Sequence, residues 1–455
     1  MKRSGTRKWM ALLMAVMLFA LTACGGGSKN NGGGNGAGEG GGQAGGSSGN
    51  ASPDGSGPKA ELTLWNIWTD PSAEHQSSLK QVEKFMEAHP DIVIKQQNIP
   101  HDQYKVKVKA QAAGRELPDL IQVWPGAELA PLVEGGLLQP IDDIVGHWDG
   151  LVIGEYLKDY SVDGKVYAIP AQVVPTHVIY YDKDQLAEIG YETFPATYEE
   201  FKAMILKLKE KGLIPITLGN KGQWVLQSCY ISTIGDRLTG SDFLNAVLYT
   251  GERKFTDPEF IRALEIIKEL VDIGAFNEDF NSIDNDQQRE YFINGEAAMM
   301  IDGSWGLGPV LDAAPDKNIG VAVFPAVDGG LGDPSAVSVV SGMGIAINAN
   351  LTGEKLEAAK TFLKGFYTED YFKEMLKASI LVPAEIEAPA EVSPVLMEVK
   401  ELASKKVAPV YDATLPPEVT DVINAGLQEL SIGLVTPEEL AKRLQDAVDK
   451  QNQSA

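Results

Sequence analysis

Four tryptophans stand at the ends of predicted strands, where an aromatic ring can meet a ligand. Trp65 and Trp68 close the apolar run that starts at Glu61, Trp124 follows the strand predicted over 119–123, and Trp305 follows the one over 297–301. Trp224 lies beyond the predicted strand 214–218, after the polar turn 219–223, and is a further candidate. In open α/β sheets, ligands bind in the crevice outside the carboxyl ends of the strands, so this placement predicts one aromatic-lined cleft. The competing reading of any one indole is core or rim packing. Indole faces beside carboxylates and amides suit a pyranose, whose C–H faces stack on the ring while its edges take polar partners. Candidate polar partners are Asn66, Asp70, Asn220, Gln223, Asp302 and the run Ser341-Gly342-Met343. Asp70 could instead cap the helix that follows Pro71, and Asp302 could instead build the turn into Gly303.

The elements that must position these residues alternate. Residues 61–65 predict a strand and 72–89 a helix with Leu79, Val82, Phe85 and Met86 on one face, ended by His89-Pro90. A strand over 92–96, a helix over 104–113 and a strand over 119–123 complete a βαβαβ pattern, which predicts a parallel sheet with helices on both faces. Further strands are expected at 166–169, 178–181, 214–218, 297–301, 320–324 and 337–347. Thr197 with Glu200 reads as a capping box for a helix that stops at Gly212. Residues 258–273 place Phe260, Leu264, Ile267 and Val271 on one stripe. Residues 355–377 read as helix. A last helix is signalled by Thr436, Pro437 and Glu439, with Leu440, Leu444 and Val448 facing inward.

Composition bounds the function. The 455 residues carry a net charge of −24, which argues against nucleic acid and against adsorption to anionic lipid through a basic patch. Residues 25–58 hold 16 of the 47 glycines, interleaved with Asn, Ser and Ala, and predict a flexible tether about 30–35 Å end to end. Before it stand Lys2, Arg3, Arg7 and Lys8, then an apolar run too short to span a bilayer, then Leu21-Thr22-Ala23-Cys24. That tetrapeptide resembles the bacterial lipobox, which implies cleavage before Cys24 and lipid on its sulfur. Setting leader and tether aside leaves −27 on residues 59–455. The other cysteine, Cys229, lies in the apolar stretch 225–234 and reads as a small buried hydrophobe.

Signatures of catalysis are missing. The chain has no Gly-x-Ser-x-Gly elbow, no His-Glu-x-x-His and no phosphate-binding loop. Asp284-x-Asp286-x-Gln288 hints at a calcium loop but has Arg289 at the turn-glycine position and Gly295 at the last ligand, so it reads as a helix start. The five histidines show no metal spacing, and no metal or cofactor is expected. Paired carboxylates for glycoside hydrolysis need no local motif, which keeps a secreted carbohydrate-active enzyme as the alternative, beside a ligand sensor on the same fold.

The chain resembles the sugar-binding group of bacterial extracellular solute-binding proteins of ABC importers, which includes the maltodextrin-binding proteins. The matching stretches are Leu62-Thr63-Leu64-Trp65, Leu117-Pro118-Asp119-Leu120-Ile121, Asp163-Gly164-Lys165-Val166-Tyr167-Ala168-Ile169-Pro170, Ile179-Tyr180-Tyr181-Asp182-Lys183-Asp184 and, most specific, the run from Phe292-Ile293-Asn294-Gly295-Glu296 to Trp305. The resemblance implies an α/β, two-lobed periplasmic-binding-protein-like fold of type II. Each lobe would be a mainly parallel sheet flanked by helices, with the ligand cleft between lobes. It implies residues 1–23 as signal peptide, 24–58 as lipidated cysteine and tether, 59–173 with 326–378 as one lobe, and 174–325 with 379–455 as the other. It further implies a monomeric, non-enzymatic receptor, lipid-anchored at Cys24 on the extracellular face of the cell membrane. The receptor would close on a carbohydrate and hand it to a membrane permease. Trp305, Trp124 and, in less certain register, Trp224 fall at the family's aromatic site positions. The loop from Asn66 to Asp70 departs from the maltodextrin pattern, and the last 90 residues offer only Tyr411 for a late stacking aromatic.

Overall fold

The computed structural model describes residues 59–453, so the expected signal peptide, Cys24 and the tether lie outside the described residues. Along the chain run β1 (Ala60–Asn66), α1 (Ala73–Ala88), β2 (Ile92–Asn98), α2 (His101–Gly114), β3 (Leu120–Val123), β4 (Leu138–Gln139), the short hairpin β5 (Ser161–Val162) and β6 (Lys165–Val166), β7 (Ala168–Pro170), β8 (Val173–Pro175) and β9 (Val178–Asp182). Then come β10 (Ile214–Thr217), β11 (Ala297–Asp302), β12 (Ile319–Ala322), β13 (Ala336–Ser341), β14 (Gly344–Asn348) and β15 (Lys406–Ala408), with helices between them.

Local chemistry accounts for the main elements. Strand β1 buries Ala60, Leu62, Leu64 and Asn66 while Glu61 and Thr63 face solvent, the period-two alternation of a half-buried strand. Ser72 caps α1 by accepting from the His75 amide, and α1 buries Val82 and Phe85. The last helix, Pro437–Asn452, starts with the full capping box expected of Thr436 and Glu439. The same box, made by Asp284 and Gln287, opens the helix Asn285–Ile293, so the calcium-like motif is a helix start.

Two sheets with separate cores make the two-lobed α/β fold. One has the order β2-β1-β3-β14-β4, with β7 also on β14; the other has the order β10-β11-β9-β12. The first packs Leu62, Leu64, Ile345 and Ile347 against the helices Gly353–Phe366 and Glu369–Lys377. The second packs Ile216, Met299 and Ile301 with the helix Pro258–Asp272 and the two last helices. We call them the N-lobe and the C-lobe. Between them, β8, β13 and β15 form a small sheet of their own. The chain leaves β7 of the N-lobe through β8 to reach β9 of the C-lobe, and returns from β12 through β13 to β14. This small sheet is the crossover region.

Three expectations need correction. The sheets are mixed rather than mainly parallel: β1 runs parallel to β2 and β3, and β10 to β11, but β14 runs antiparallel to β3, β4 and β7, and β9 antiparallel to β11 and β12. Both antiparallel strands are those delivered by the crossovers, which enter a sheet without a βαβ connection to set their direction. The strand expected over 337–347 is two strands in different sheets, broken at Gly342. The helix expected over 355–377 breaks at Tyr367, because Thr368 caps a second helix by accepting from the Tyr371 amide.

Candidate functional site

The C-terminal ends of β2, β3, β10 and β11 bring a row of rings together across the two lobes. Trp124 follows β3 and meets His101, at the start of α2, edge-on at 5.4 Å between centroids. His101 meets Trp224 of the C-lobe at the same separation. Trp224 meets Trp305, just past β11, at 5.8 Å. Aromatic pairs at 4.5–7 Å attract beyond their area burial, so the four rings form one belt. Trp124, Trp224 and Trp305 thus converge, and His101 bridges them.

The C-lobe end of the belt is stiff. Trp305 Nε1 donates to Asn285 Oδ1 at 2.9 Å. Asn285 donates to Asp302 Oδ1 at 3.0 Å, and Arg289 Nε donates to Asp302 Oδ2 at 3.1 Å. Arg289 also donates to Asn285 Oδ1 at 2.6 Å and to Asp286 at 2.7 Å. Burial pushes the Asp302 carboxyl up and the Arg289 guanidinium offsets this, while Asp302 and Asp286 hold Arg289 above its ordinary value against the effect of burial. The charges compensate each other away from water, as buried charges must. A Cβ at Gly303 would run into the Trp305 ring, so glycine there lets the indole lie flat on the backbone.

The N-lobe end is polar and partly open. Asp102 Oδ1 accepts from Trp224 Nε1 at 3.2 Å, a hydrogen bond between lobes, and pairs with His101 Nδ1 at 3.0 Å. Burial and then Lys105 push His101 down, and His101 followed by Trp224 holds the Asp102 carboxyl below the usual range. Lys105 Nζ lies 2.6 Å from Glu128 Oε1 and 4.9 Å from the Trp124 centroid. A second seam joins the lobes at α1. The Ala73 amide points at Asp312 Oδ2 at 3.4 Å, and Glu74, hydrogen-bonded by Gln172, lies close enough to Arg289 to feel its charge. Burial pushes the Glu74 carboxyl up.

Other expected site residues sit elsewhere. Trp68 is 2% exposed and stacks on Phe366 at 5.7 Å in the N-lobe core, so it is a core ring rather than a cleft ring. Trp65 lies under α2, with Lys107 Nζ 3.8 Å from its centroid. Asn66 is fully buried, donating to Gln96 and accepting from the Trp68 amide. Asn220 is fully buried and bonds Asn281 and the Leu226 amide. Asp302 has both oxygens occupied, as described. Ser341 Oγ donates to the Tyr156 carbonyl and its amide to Asp159. These four spend their polar atoms on neighbouring elements and their own turns, and have a positioning role. Gly342 and Met343 belong to the crossover: a Cβ at Gly342 would come within 2.7 Å of Val174, and Met343 is buried with Gln122 Nε2 3.0 Å from its sulfur. Gln223 takes φ +67°, a left-handed conformation that turns the chain into Trp224, and donates to Gln428 at 2.7 Å. Asp70 is partly exposed, accepts from the Ser72 amide at 2.8 Å and pairs with His75 at 3.0 Å. Burial raises the Asp70 carboxyl, but His75 and Ser72 outweigh it and hold it well below its usual range.

Sequence reasoning missed His101, Asp102, Lys105, Glu128, Asn285 and Arg289. The first three had a signal: they open the helix directly after β2, at a strand end like the tryptophans. Among the described residues no cluster of acidic, histidine or cysteine side chains has the arrangement to hold a metal. Cys229 is buried in the π-helical turn Leu226–Ile231, and burial pushes its thiol well up.

Comparisons with known proteins match the chain to one family. The model of a family described as bacterial extracellular solute-binding protein matches residues 80–401. The multiple sugar-binding protein of Streptococcus mutans is 25% identical over 308 residues, covering 64% of this chain and 68% of that protein. An uncharacterized ABC transporter extracellular-binding protein of Pyrococcus horikoshii is 26% identical over 268 residues, 56% of this chain and 58% of that protein. The matched part thus spans between half and about two thirds of these relatives' length. Among solved structures, a chitin oligosaccharide binding protein superposes with a TM-score of 0.79 at 26% identity, over 86% of this chain and 99% of that one.

Proposed function

The chain belongs to the bacterial extracellular solute-binding protein family, and from that premise we propose that it captures a mono- or oligosaccharide between its lobes and delivers it to an ABC permease, without turning it over. The observation that carries the reading is the ring belt Trp124–His101–Trp224–Trp305, contributed by both lobes. Indole faces offer stacking surfaces for the C–H faces of sugar rings, and Asp102, Lys105 and Glu128 offer acceptors and donors at the edges. The names of the relatives, a multiple sugar-binding protein and a chitin oligosaccharide binding protein, support the same ligand class. Opening the lobes parts Trp224 from Asp102, and a sugar that touches both lobes favours the closed state by its differential contacts. Lipid on Cys24 and the glycine-rich stretch after it would hold the receptor near its permease on the extracellular face, as a monomer.

A thermal-shift screen against neutral mono- and oligosaccharides tests this. A sugar at 100 times its dissociation constant adds about 2.7 kcal/mol of stability and raises the melting temperature. A flat response to every sugar, or cleavage products after incubation, contradicts the proposal. Labelling with a radioactive fatty acid tests the anchor: the label enters the native protein and is lost in Cys24→Ala.

A further inference from the structure

The Lys105–Glu128 pair differs from the other charges at the belt because it is not consumed by scaffolding. Lys105 Nζ lies 2.6 Å from Glu128 Oε1, 4.9 Å from the Trp124 centroid and 6.0 Å from the Trp224 centroid. One of those rings belongs to each lobe, so the ammonium lies close to an aromatic ring of both. An ammonium has three N–H donors, and a carboxylate about four lone-pair sites. Among the described residues, each of these two groups takes the other as its hydrogen-bonding partner, and their side chains remain 27% and 36% exposed. Unspent donors therefore sit beside unspent acceptors next to the ring belt that both lobes supply. Neighbouring hydroxyls on a sugar need that combination: one oxygen accepts from the ammonium while the next O–H donates to the carboxylate. The local charge also has a sign. Glu128, Asp412 and Asp102 all act on Lys105. Burial pushes the Asp412 carboxyl up, yet Glu128 and Asp102 alone already outnumber the lysine.

We propose that Lys105 and Glu128 are the specificity-determining pair of this cleft, reading adjacent hydroxyls on an uncharged sugar ring and disfavouring rings that carry a carboxylate; this rests on the carbohydrate reading above. The test is calorimetric titration of the full-length protein with cellobiose, xylobiose, N,N′-diacetylchitobiose and maltotriose as neutral probes, and with cellobiouronic acid and trigalacturonic acid as anionic ones. The tightest neutral sugar is expected to bind at least about tenfold more tightly than either acid. Glu128→Gln is expected to weaken the neutral sugar and narrow its advantage over the acids. Lys105→Met is expected to weaken the neutral sugar while leaving the preference against acids in place. Both positions are partly exposed, and an unchanged melting temperature identifies a folded variant; each variant tests the pair without the other. An acid that binds as tightly as the best neutral sugar overturns the proposal. So do folded variants with native affinities and a native ratio, in which case sugar binding itself still stands. If none of the six probes binds, the tightest sugar from the thermal-shift screen replaces the neutral probe, and a screen flat to every sugar overturns the carbohydrate reading and this inference with it.

Discussion

The two faces of the cleft solve different problems with similar residues. On the C-lobe face, Asp302, Arg289 and Asn285 are buried and consumed by one another, and the product of that network is a Trp305 ring held in one place. On the N-lobe face, Asp102, Lys105 and Glu128 are partly exposed and keep bonding capacity in reserve. A buried carboxylate bonded at both oxygens has less capacity left for a ligand, whereas a half-exposed one can exchange water for a hydroxyl. On the carbohydrate proposal, the first face would serve as a fixed stacking platform and the second as a polar reader.

The largest expected effect tests the platform. Asp302→Ala leaves Arg289 buried without its main partner and should cost about 3–5 kcal/mol in denaturant unfolding. A loss below about 1 kcal/mol would remove the contrast between the faces. Next comes acid stability. His177 is fully buried in the C-lobe, and burial pushes it down to about 3. Unfolding restores an ordinary value near 6.5, so between about pH 6.5 and 3 the unfolded chain takes up a proton that the native one refuses. Stability from this residue is therefore complete above pH 6.5 and declines as pH falls, by about 2 kcal/mol at pH 5. His177→Phe should flatten that part of the pH profile; an identical slope in the variant would assign it to other groups. The smallest effect belongs to the reader. Glu128→Gln breaks a partly exposed ion pair and should change stability by less than about 1 kcal/mol, visible in the same unfolding experiment. A loss as large as that of Asp302→Ala would make the N-lobe face a scaffold too.

Much of the fold was legible. Period-two alternation marks β1, capping residues mark α1 and the last helix, and the strand-end rule brings Trp124 and Trp305 together, with Trp224 reached through the polar turn after β10. The rule fails at Trp65, which lies beside Lys107 of α2, and at Trp68, because nothing in that spacing says that the second indole turns back onto Phe366. Polar candidates failed for a related reason. A buried amide or carboxylate near a ligand and one that ties two segments of the scaffold have the same sequence signature. Asn220 is claimed by Asn281, 61 residues on, and that pairing exists only in three dimensions. The directions of β9 and β14 follow from the crossovers, which long-range return of the chain decides. His101, Asp102 and Lys105 do carry a sequence signal, since they follow the carboxyl end of β2 as Trp124 follows that of β3.

The most direct test is a tryptophan-fluorescence titration of the native protein and Trp305→Ala with the tightest neutral oligosaccharide. The native protein should show a saturable change. The variant, folded by its melting curve, should bind about 1–3 kcal/mol more weakly, roughly 5- to 150-fold, for loss of a stacked apolar contact. Equal affinity in the two proteins, or no saturable change in the native one, would contradict a sugar held on the belt between the lobes.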